Sequence, residues 1–260
     1  MTSTATRAEA IAAGLAGVRQ RMAEAARAAG RAPDAVRLVA VSKKMSVADI
    51  EAALAAGQRD FGENYAQELR DKQAAFAAKV TASPSALSPS PSPVWHFIGP
   101  LQSNKVKYVA GQVALLHSVD SKALLDEIDR RGRDTAVLIQ VNLAGEEQKR
   151  GVSAAQLPAL LDHVSTLSHA RCQGLMLIPP LTATAAANRP QFAALRALRD
   201  HHAATVRPRV ELAELSMGMS HDFDVAIAEG ATIVRVGTAI FGERPQAPPA
   251  ATVPPVKPAA

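Results

Sequence analysis

The chain has little with which to cross-link. Cys172 is its one cysteine among 260 residues, so no disulfide can form within it and a disulfide scaffold is excluded. Its apolar neighbours mark it as a buried structural thiol. Aromatic residues make up only 3%, so Ala, Val, Leu and Ile must fill the core. The same scarcity removes the aromatic-interleaved basic stripe of a nucleic-acid-binding protein. The formal net charge is +5, but the basic residues are scattered and form no long block. That balance permits acidic partners without specifying them. No apolar run approaches the roughly 20 residues of a membrane span. The N-terminus lacks the apolar core of a signal peptide. It is rich in Ala, Ser and Thr and carries Arg7, as transit peptides do, yet Glu9 and Glu24 oppose that reading. The cytoplasm is the expected location. No histidine has partners at metal-ligand spacing, His201 and His202 included, so no metal site is expected.

What is present is alternation. Hydrophobic residues make up 48% of the chain, enough for a sizeable core in one domain. Residues 5–29 read as an amphipathic helix with Ile11, Leu15, Val18 and Met22 at helical spacing and Gly30 where a C-cap would stand. Strand-like segments then follow at 36–42, 60–63, 94–98, 115–119, 136–143, 172–178, 214–217 and 233–241. Helix-like segments lie between them at 47–56, 66–78, 103–110, 122–131, 154–167, 191–205 and 222–229. Several strands are short continuous apolar runs, the pattern of parallel strands covered on both faces. Eight alternations without a composition break predict a single (β/α)8 TIM-type barrel with an extra N-terminal helix. A doubly wound open sheet is the competitor, and the strand count favours the barrel. The barrel domain is expected over residues 1–244. A Ser/Pro/Ala-rich flexible loop is expected at 81–93, and a disordered Pro/Ala tail at 245–260.

Three features carry chemistry. Lys43 stands at the end of the apolar run Leu38-Val39-Ala40-Val41-Ser42-Lys43. An amine at the C-terminal end of a barrel strand faces the active-site mouth, where it can form an imine with an aldehyde. The competing reading is a surface lysine snorkelling from a strand end. Lys44 is a rival that periodicity does not separate from Lys43, because both faces of the strand are apolar. The second feature is Ser216-Met217-Gly218-Met219-Ser220, with Gly237-Thr238 further on. The loops after strands seven and eight are the usual phosphate station of this fold. Gly218 and Gly237 let backbone amides approach an anion, and Ser216 and Thr238 offer hydroxyls. The competing reading is turn chemistry with Ser220 as a helix N-cap. A lysine facing a phosphate cradle suggests pyridoxal 5'-phosphate, which carries both an aldehyde and a phosphate. The third feature is Arg235, inside the apolar run Ile233-Val234-Arg235-Val236. A buried guanidinium must be paired, either with a carboxylate such as Glu63 or Asp222 or against the pyridine nitrogen of the cofactor. Glu63 and Asn64 are placed to position the lysine or a cofactor hydroxyl. His96 reads equally as a satisfied core histidine or a mouth residue. Lys149 lies on a charged loop after strand five.

At these residues the chain resembles the pyridoxal phosphate homeostasis proteins, a family similar to the N-terminal domain of alanine racemase. The stretches that carry the resemblance include Leu38-Val39-Ala40-Val41-Ser42-Lys43, Phe61-Gly62-Glu63-Asn64-Tyr65 and Gly174-Leu175-Met176. To these are added His96 to Lys105, Leu215 to Ser220 and Val234 to Gly242, so the resemblance spans nearly all of the expected barrel. It implies a type III pyridoxal phosphate fold with Lys43 as the imine-forming residue. It further implies phosphate contacts around Ser216, Gly237 and Thr238, with Arg235 near the ring nitrogen. Asn64, Met217 and Gly218 are expected to bind the cofactor as well. The chain departs from the family at Lys44-Met45-Ser46, where Thr-Lys-Pro is common, and at His221, where an acid is common. Lys149 matches a lysine that the family often carries.

The expected function is to bind pyridoxal 5'-phosphate and hold it by reversible imine exchange, buffering it or delivering it to apo-enzymes. The alternative is a weak amino-acid racemase or another type III enzyme. A racemase needs a base on each face of the substrate α-carbon. Lys43 offers one, and the chain has only Tyr65 and Tyr108 as tyrosines to offer a second. A structural or nucleic-acid-associated role prompted by the positive charge is a third reading, and nothing in the motifs supports it.

Overall fold

The computed structural model describes residues 6–82, 92–146, 149–180, 182 and 184–243. Most of the loop expected at 81–93, and all of the tail expected at 245–260, lie outside the described residues.

Eight parallel strands close into a barrel in sequence order: β1 (Arg37–Val41), β2 (Asp60–Glu63), β3 (Val94–Phe97), β4 (Leu115–Val119), β5 (Thr135–Gln140), β6 (Ala170–Met176), β7 (Val210–Ser216) and β8 (Ile233–Val236). Closure is made by β8 on β1, with Leu38 opposite Val234 and Val39 opposite Arg235. The architecture is the TIM-type (β/α)8 barrel, and the open-sheet competitor is excluded by that last pairing. The outer ring comprises α2 (Val47–Ala55), α3 (Ala66–Ala82), α4 (Lys122–Asp129), α5 (Leu157–Val164), α6 (Arg189–Ala203) and α7 (Phe223–Ala228), with a 3-10 turn at Ser103–Tyr108 between β3 and β4.

The helix after β8 is a single turn, α8 (Thr238–Phe241), too short to cover the closing seam. The N-terminal helix α1 (Arg7–Ala28) covers it instead, packing against α2, α7 and α8. Its start is fixed by a capping box in which Thr6 and Glu9 satisfy each other's backbone N–H. Its buried stripe of Ile11, Leu15, Val18, Met22 and Ala26 follows the helical period.

Most of the core lies between sheet and helices. A smaller apolar cluster of Val39, Leu115, Ala136, Leu138, Met176 and Ile233 fills part of the barrel interior. Five of the six phenylalanines are fully buried, and aliphatic residues supply the rest. Cys172 is buried and its thiol is pushed up to about 12 by desolvation, so it is an inert packing residue. Among the described residues no helix is long and apolar enough to cross a membrane.

The structure moves several boundaries, β6 running Ala170–Met176 and β7 starting at Val210 among them, and three strand ends matter most. The eighth strand stops at Val236, and Thr238–Phe241 is helical. An apolar run this short has no period that separates strand from buried helix. The fifth strand likewise ends at Gln140. The first ends at Val41, so Lys43 and Lys44 sit in the following turn rather than on the strand. Lys44 takes the left-handed conformation, with φ 62°, and strand alternation therefore says nothing about where the two lysines point.

Candidate functional site

The turn that carries Lys43 is held from behind. Ser42 is buried, and its hydroxyl donates to Glu63 Oε1 at 2.6 Å. Lys72, on α3, reaches under the turn and donates to the Ser42 carbonyl, to Glu63 Oε1 and to Glu68 Oε1, each at 2.7 Å. Glu68 in turn accepts from the Lys44 backbone N–H at 2.6 Å. Burial raises the Glu63 carboxyl above the usual carboxylate range, and Lys72 and the Ser42 hydroxyl pull it part of the way back. Glu63 points outward from β2, toward α3, so it anchors the lysine turn and does not line the mouth. Lys43 itself is half-buried.

Arg235 points into the barrel. It donates from Nη1 to Ser216 Oγ at 2.6 Å and from Nη2 to the Leu177 carbonyl at 2.9 Å. Neither carboxylate expected as its partner pairs with it. Glu63 belongs to Lys72, and Asp222 accepts from Asn188 Nδ2 and from the Met219 backbone N–H, both at 2.7 Å. Desolvation lowers the guanidinium to about 10, with Asp222 opposing the shift, so it stays charged at neutral pH. Both acceptors of Arg235 sit at the C-terminal ends of strands, Ser216 closing β7 and Leu177 following β6.

Ser216 also bonds inward, to His117 Nδ1 at 2.8 Å. Its hydroxyl is thus engaged by Arg235 and His117, not turned to the Gly237-Thr238 loop as the phosphate reading expected. His117 Nε2 lies 3.0 Å from His96 Nδ1, and His96 Nε2 lies 2.9 Å from Asp60 Oδ1. His96 is therefore a core histidine. Burial holds His117 well below the usual imidazole value, and the nearby His96, Arg235 and Arg37 push the same way.

The turns after β7 and β8 are tied together. Arg235 N–H donates to the Gly218 carbonyl at 3.0 Å, and Gly237 N–H donates to Ser220 Oγ at 3.3 Å. Ser220 is thus a bridge between the loops and not a helix cap; Asp222 occupies the cap position of α7. Gly218 has φ +93°, and a Cβ there would stand 2.6 Å from the Ala226 Cβ, so only glycine fits. A Cβ on Gly237 would come within 3.3 Å of the Val41 Cβ. Met217 is fully buried and Thr238 is exposed.

Asn64 follows β2, and its Oδ1 is buried without a hydrogen-bond partner. Gly99 holds it in place: a Cβ at Gly99 would lie 2.3 Å from the Asn64 carbonyl oxygen. Lys149 pairs with Glu146 at 3.0 Å in a loop pinned by Asn142, which donates to the carbonyls of both residues. The barrel thus gathers Lys43, Asn64, Met217, Gly218, Gly237 and Thr238 at the ends of β1, β2, β7 and β8. This is the end at which barrels of this type carry their sites. Lys72 and His117 are two residues of this arrangement that sequence reasoning missed. The only signal for His117 was a histidine inside the apolar strand Leu115-Leu116-His117-Ser118-Val119. For Lys72 there was none, since a lysine on an exposed-looking helix is ordinary.

Comparison with known proteins identifies the family. The family model described as alanine racemase, N-terminal domain, matches residues 15–245. The pyridoxal phosphate homeostasis protein of Pseudomonas aeruginosa is 43% identical over 244 residues, covering 92% of this chain and 98% of the relative. The chain belongs to the pyridoxal phosphate homeostasis protein family. Another member, from Escherichia coli K12, is 39% identical over 90% of this chain and 97% of its own length. Among solved structures, PipY of Synechococcus elongatus, determined with PLP bound, has a TM-score of 0.74 at 39% identity and is covered over its whole length, with 89% of this chain. An alanine racemase from Corynebacterium glutamicum shares the fold alone, with a TM-score of 0.58 at 15% identity over 95% of this chain and 63% of its own.

Two outcomes follow from the site's electrostatics. Replacing Lys72 by methionine strands Glu63 as a buried charge, and we expect unfolding by denaturant to show a loss of about 3–5 kcal/mol. Adding Glu63→Gln to Lys72→Met should restore much of it. The second outcome concerns acid stability. His117 is depressed in the folded state, so below pH ~6.5 the unfolded chain takes up a proton that the folded chain refuses. Its contribution is therefore fully present above that pH and is lost as pH falls. In His117→Gln the slope of unfolding free energy against pH should flatten on the acid side of ~6.5 relative to wild type. An unchanged slope would exclude His117 as its source.

Proposed function

We propose that this protein binds pyridoxal 5'-phosphate at the barrel mouth, holds it on Lys43, and buffers or delivers it within the cell. The observation that carries the reading is the buried Arg235 cation, bonded at the same end of the barrel at which Lys43 emerges. The residues present fit the cofactor. Asn64 Oδ1 is a buried acceptor without a partner, suited to a hydroxyl at the mouth. Gly218 and Gly237 let the turns after β7 and β8 pack closely at the same end, Gly218 against Ala226 and Gly237 against Val41, and Thr238 offers an exposed hydroxyl beside them. The names of the curated relatives and the PLP-bound PipY structure support the same cofactor.

The bound group supplies an aldehyde, with which an amine forms an imine by releasing water and from which hydrolysis returns both. The chain's own residues do the rest. Lys72, Glu63 and Ser42 fix the backbone of the turn from which Lys43 extends. Arg235 presents a permanent cation, which would donate to an unprotonated ring nitrogen. A ring so paired is a weak electron sink, which supports a holder over a racemase. Tyr108 supports it too, since it stands on the outside of the barrel against the Lys107 and Arg70 cations, 5.0 and 5.3 Å from its ring.

Purified protein mixed with pyridoxal 5'-phosphate should turn yellow. Borohydride should bleach the band and leave the added mass on the peptide containing Lys43, and Lys43→Ala should show neither change. A wild-type protein that gains no visible band rejects the cofactor. Delivery is tested separately by transfer to an apo-enzyme. Reactivation by the loaded protein should outpace an equal amount of free pyridoxal phosphate, and equal or slower rates would leave buffering alone.

A further inference from the structure

The interior of the barrel contains a continuous polar line: Arg235, Ser216, His117, His96, Asp60. Its links are 2.6, 2.8, 3.0 and 2.9 Å long. Ser216, His96 and His117 are fully buried and Arg235 nearly so. The line crosses the sheet cylinder from the mouth to the opposite end. Asp60 is the first residue of β2, its side chain is 24% exposed, and it lines a cavity of about 400 Å³ together with Arg19, Asp34, Arg37 and Arg59.

The chemistry of the two ends fixes the direction of every proton between them. A guanidinium only donates, so Ser216 Oγ accepts from Arg235. A carboxylate only accepts, so His96 Nε2 carries the hydrogen toward Asp60. A neutral imidazole donates from one nitrogen and accepts on the other. His96 Nδ1 must then accept, and His117 Nε2 must donate to it. His117 Nδ1 accepts in its turn, and the only hydrogen left for it is that of the Ser216 hydroxyl. With both rings neutral this is the single consistent assignment. If the line ran the other way, Ser216 would accept from both Arg235 and His117, and its own hydrogen would have to find another acceptor.

We propose that Asp60, His96 and His117 are positioning residues that act through Ser216 on Arg235, keeping the Ser216 hydrogen turned inward and its lone pairs on the guanidinium. Arg235 is then pinned at two nitrogens, by Ser216 and by the Leu177 carbonyl, and the donors it offers at the mouth are fixed by a carboxylate at the far end of the barrel. This control of the cofactor site rests on the function proposed above. The direction of the line does not, and it is testable on protein carrying no cofactor.

The test uses full-length protein with ¹⁵N-labelled histidine, read by NMR near neutral pH. In the wild type His117 should show the neutral tautomer with hydrogen on Nε2. Asp60→Asn offers His96 either an oxygen or an N–H, so the direction is no longer imposed, and His117 should become a mixture of tautomers although it does not touch residue 60. Asp60→Glu should return it to one. In loaded protein Asp60→Asn should weaken retention of pyridoxal phosphate by about threefold to tenfold, the scale of one perturbed hydrogen bond, and Asp60→Glu should recover it. A His117 with hydrogen on Nδ1 in the wild type overturns the proposal. So does a His117 spectrum identical in wild type and Asp60→Asn, or unchanged retention in that variant. If the wild type takes up no pyridoxal phosphate, the binding function fails while the histidine spectra still decide the line.

Discussion

The burial of one positive charge governs the inside of this barrel. Arg235 lies on β8 opposite Val39, in a ring of strands whose other inward positions include Leu115, Leu138, Met176 and Ile233. A guanidinium there loses its water and must find oxygen acceptors in fixed places. Two are supplied, the Ser216 hydroxyl and the Leu177 carbonyl. Ser216 then has a hydrogen to place, which requires an acceptor deeper in the barrel. His117 and His96 pass that requirement on until Asp60 meets it near solvent. Four further polar residues are thus accounted for by one cation, and they take inward positions beside the apolar cluster.

On the other side of the sheet a second buried charge does a different task. Alternation along β2 sends Gly62 inward, where an added Cβ would lie 2.9 Å from side-chain atoms of Ile98 and Val39, and Glu63 outward. Outward means toward α3, where Lys72 meets Glu63 and the Ser42 carbonyl together. A buried ion pair is weak as a source of stability, because desolvation offsets most of its attraction. Its use here is geometric. It ties β2, α3 and the turn after β1 into one unit, and that turn carries Lys43. The two buried charges therefore fix neighbouring parts of the same barrel end, the ion pair the turn that carries Lys43 and Arg235 the ends of β6 and β7.

The layout of the fold was legible because barrel strands are short, apolar and separated by helices of contrasting period. Asp60–Glu63 and Leu115–Val119 were bounded correctly for that reason. The overrun at β8 has the opposite cause: Ala239, Ile240 and Phe241 are as apolar as the strand before them, and the turn at Gly237 leaves no trace in polarity. In the site, Lys43, Gly218, Gly237 and Arg235 stood out as residues that conflict with their surroundings or permit close approach. What stayed hidden was pairing. Glu63 and Asp222 were reasonable partners for Arg235 by charge, yet the partners are neutral oxygens on β7 and after β6. No one-dimensional pattern reports that Ser216 and His117, 99 positions apart, face each other across a closed sheet. Lys72 was invisible for the same reason, since its burial is created by the turn it supports.

The character of the proposed site follows from which charge stands where. A carboxylate beside a pyridine ring stabilises the protonated ring and turns it into an electron sink, the condition for breaking bonds at a substrate carbon. A guanidinium does the reverse, since it remains protonated and can only donate. Desolvation lowers Arg235 to about 10, which still leaves it a cation across the physiological range. A ring held against it would gain little electron-withdrawing power, while imine exchange at a well-placed amine would be unaffected. In the proposed site the buried cation and the lysine, at one end of the barrel, would suit retention of an aldehyde and its release unchanged.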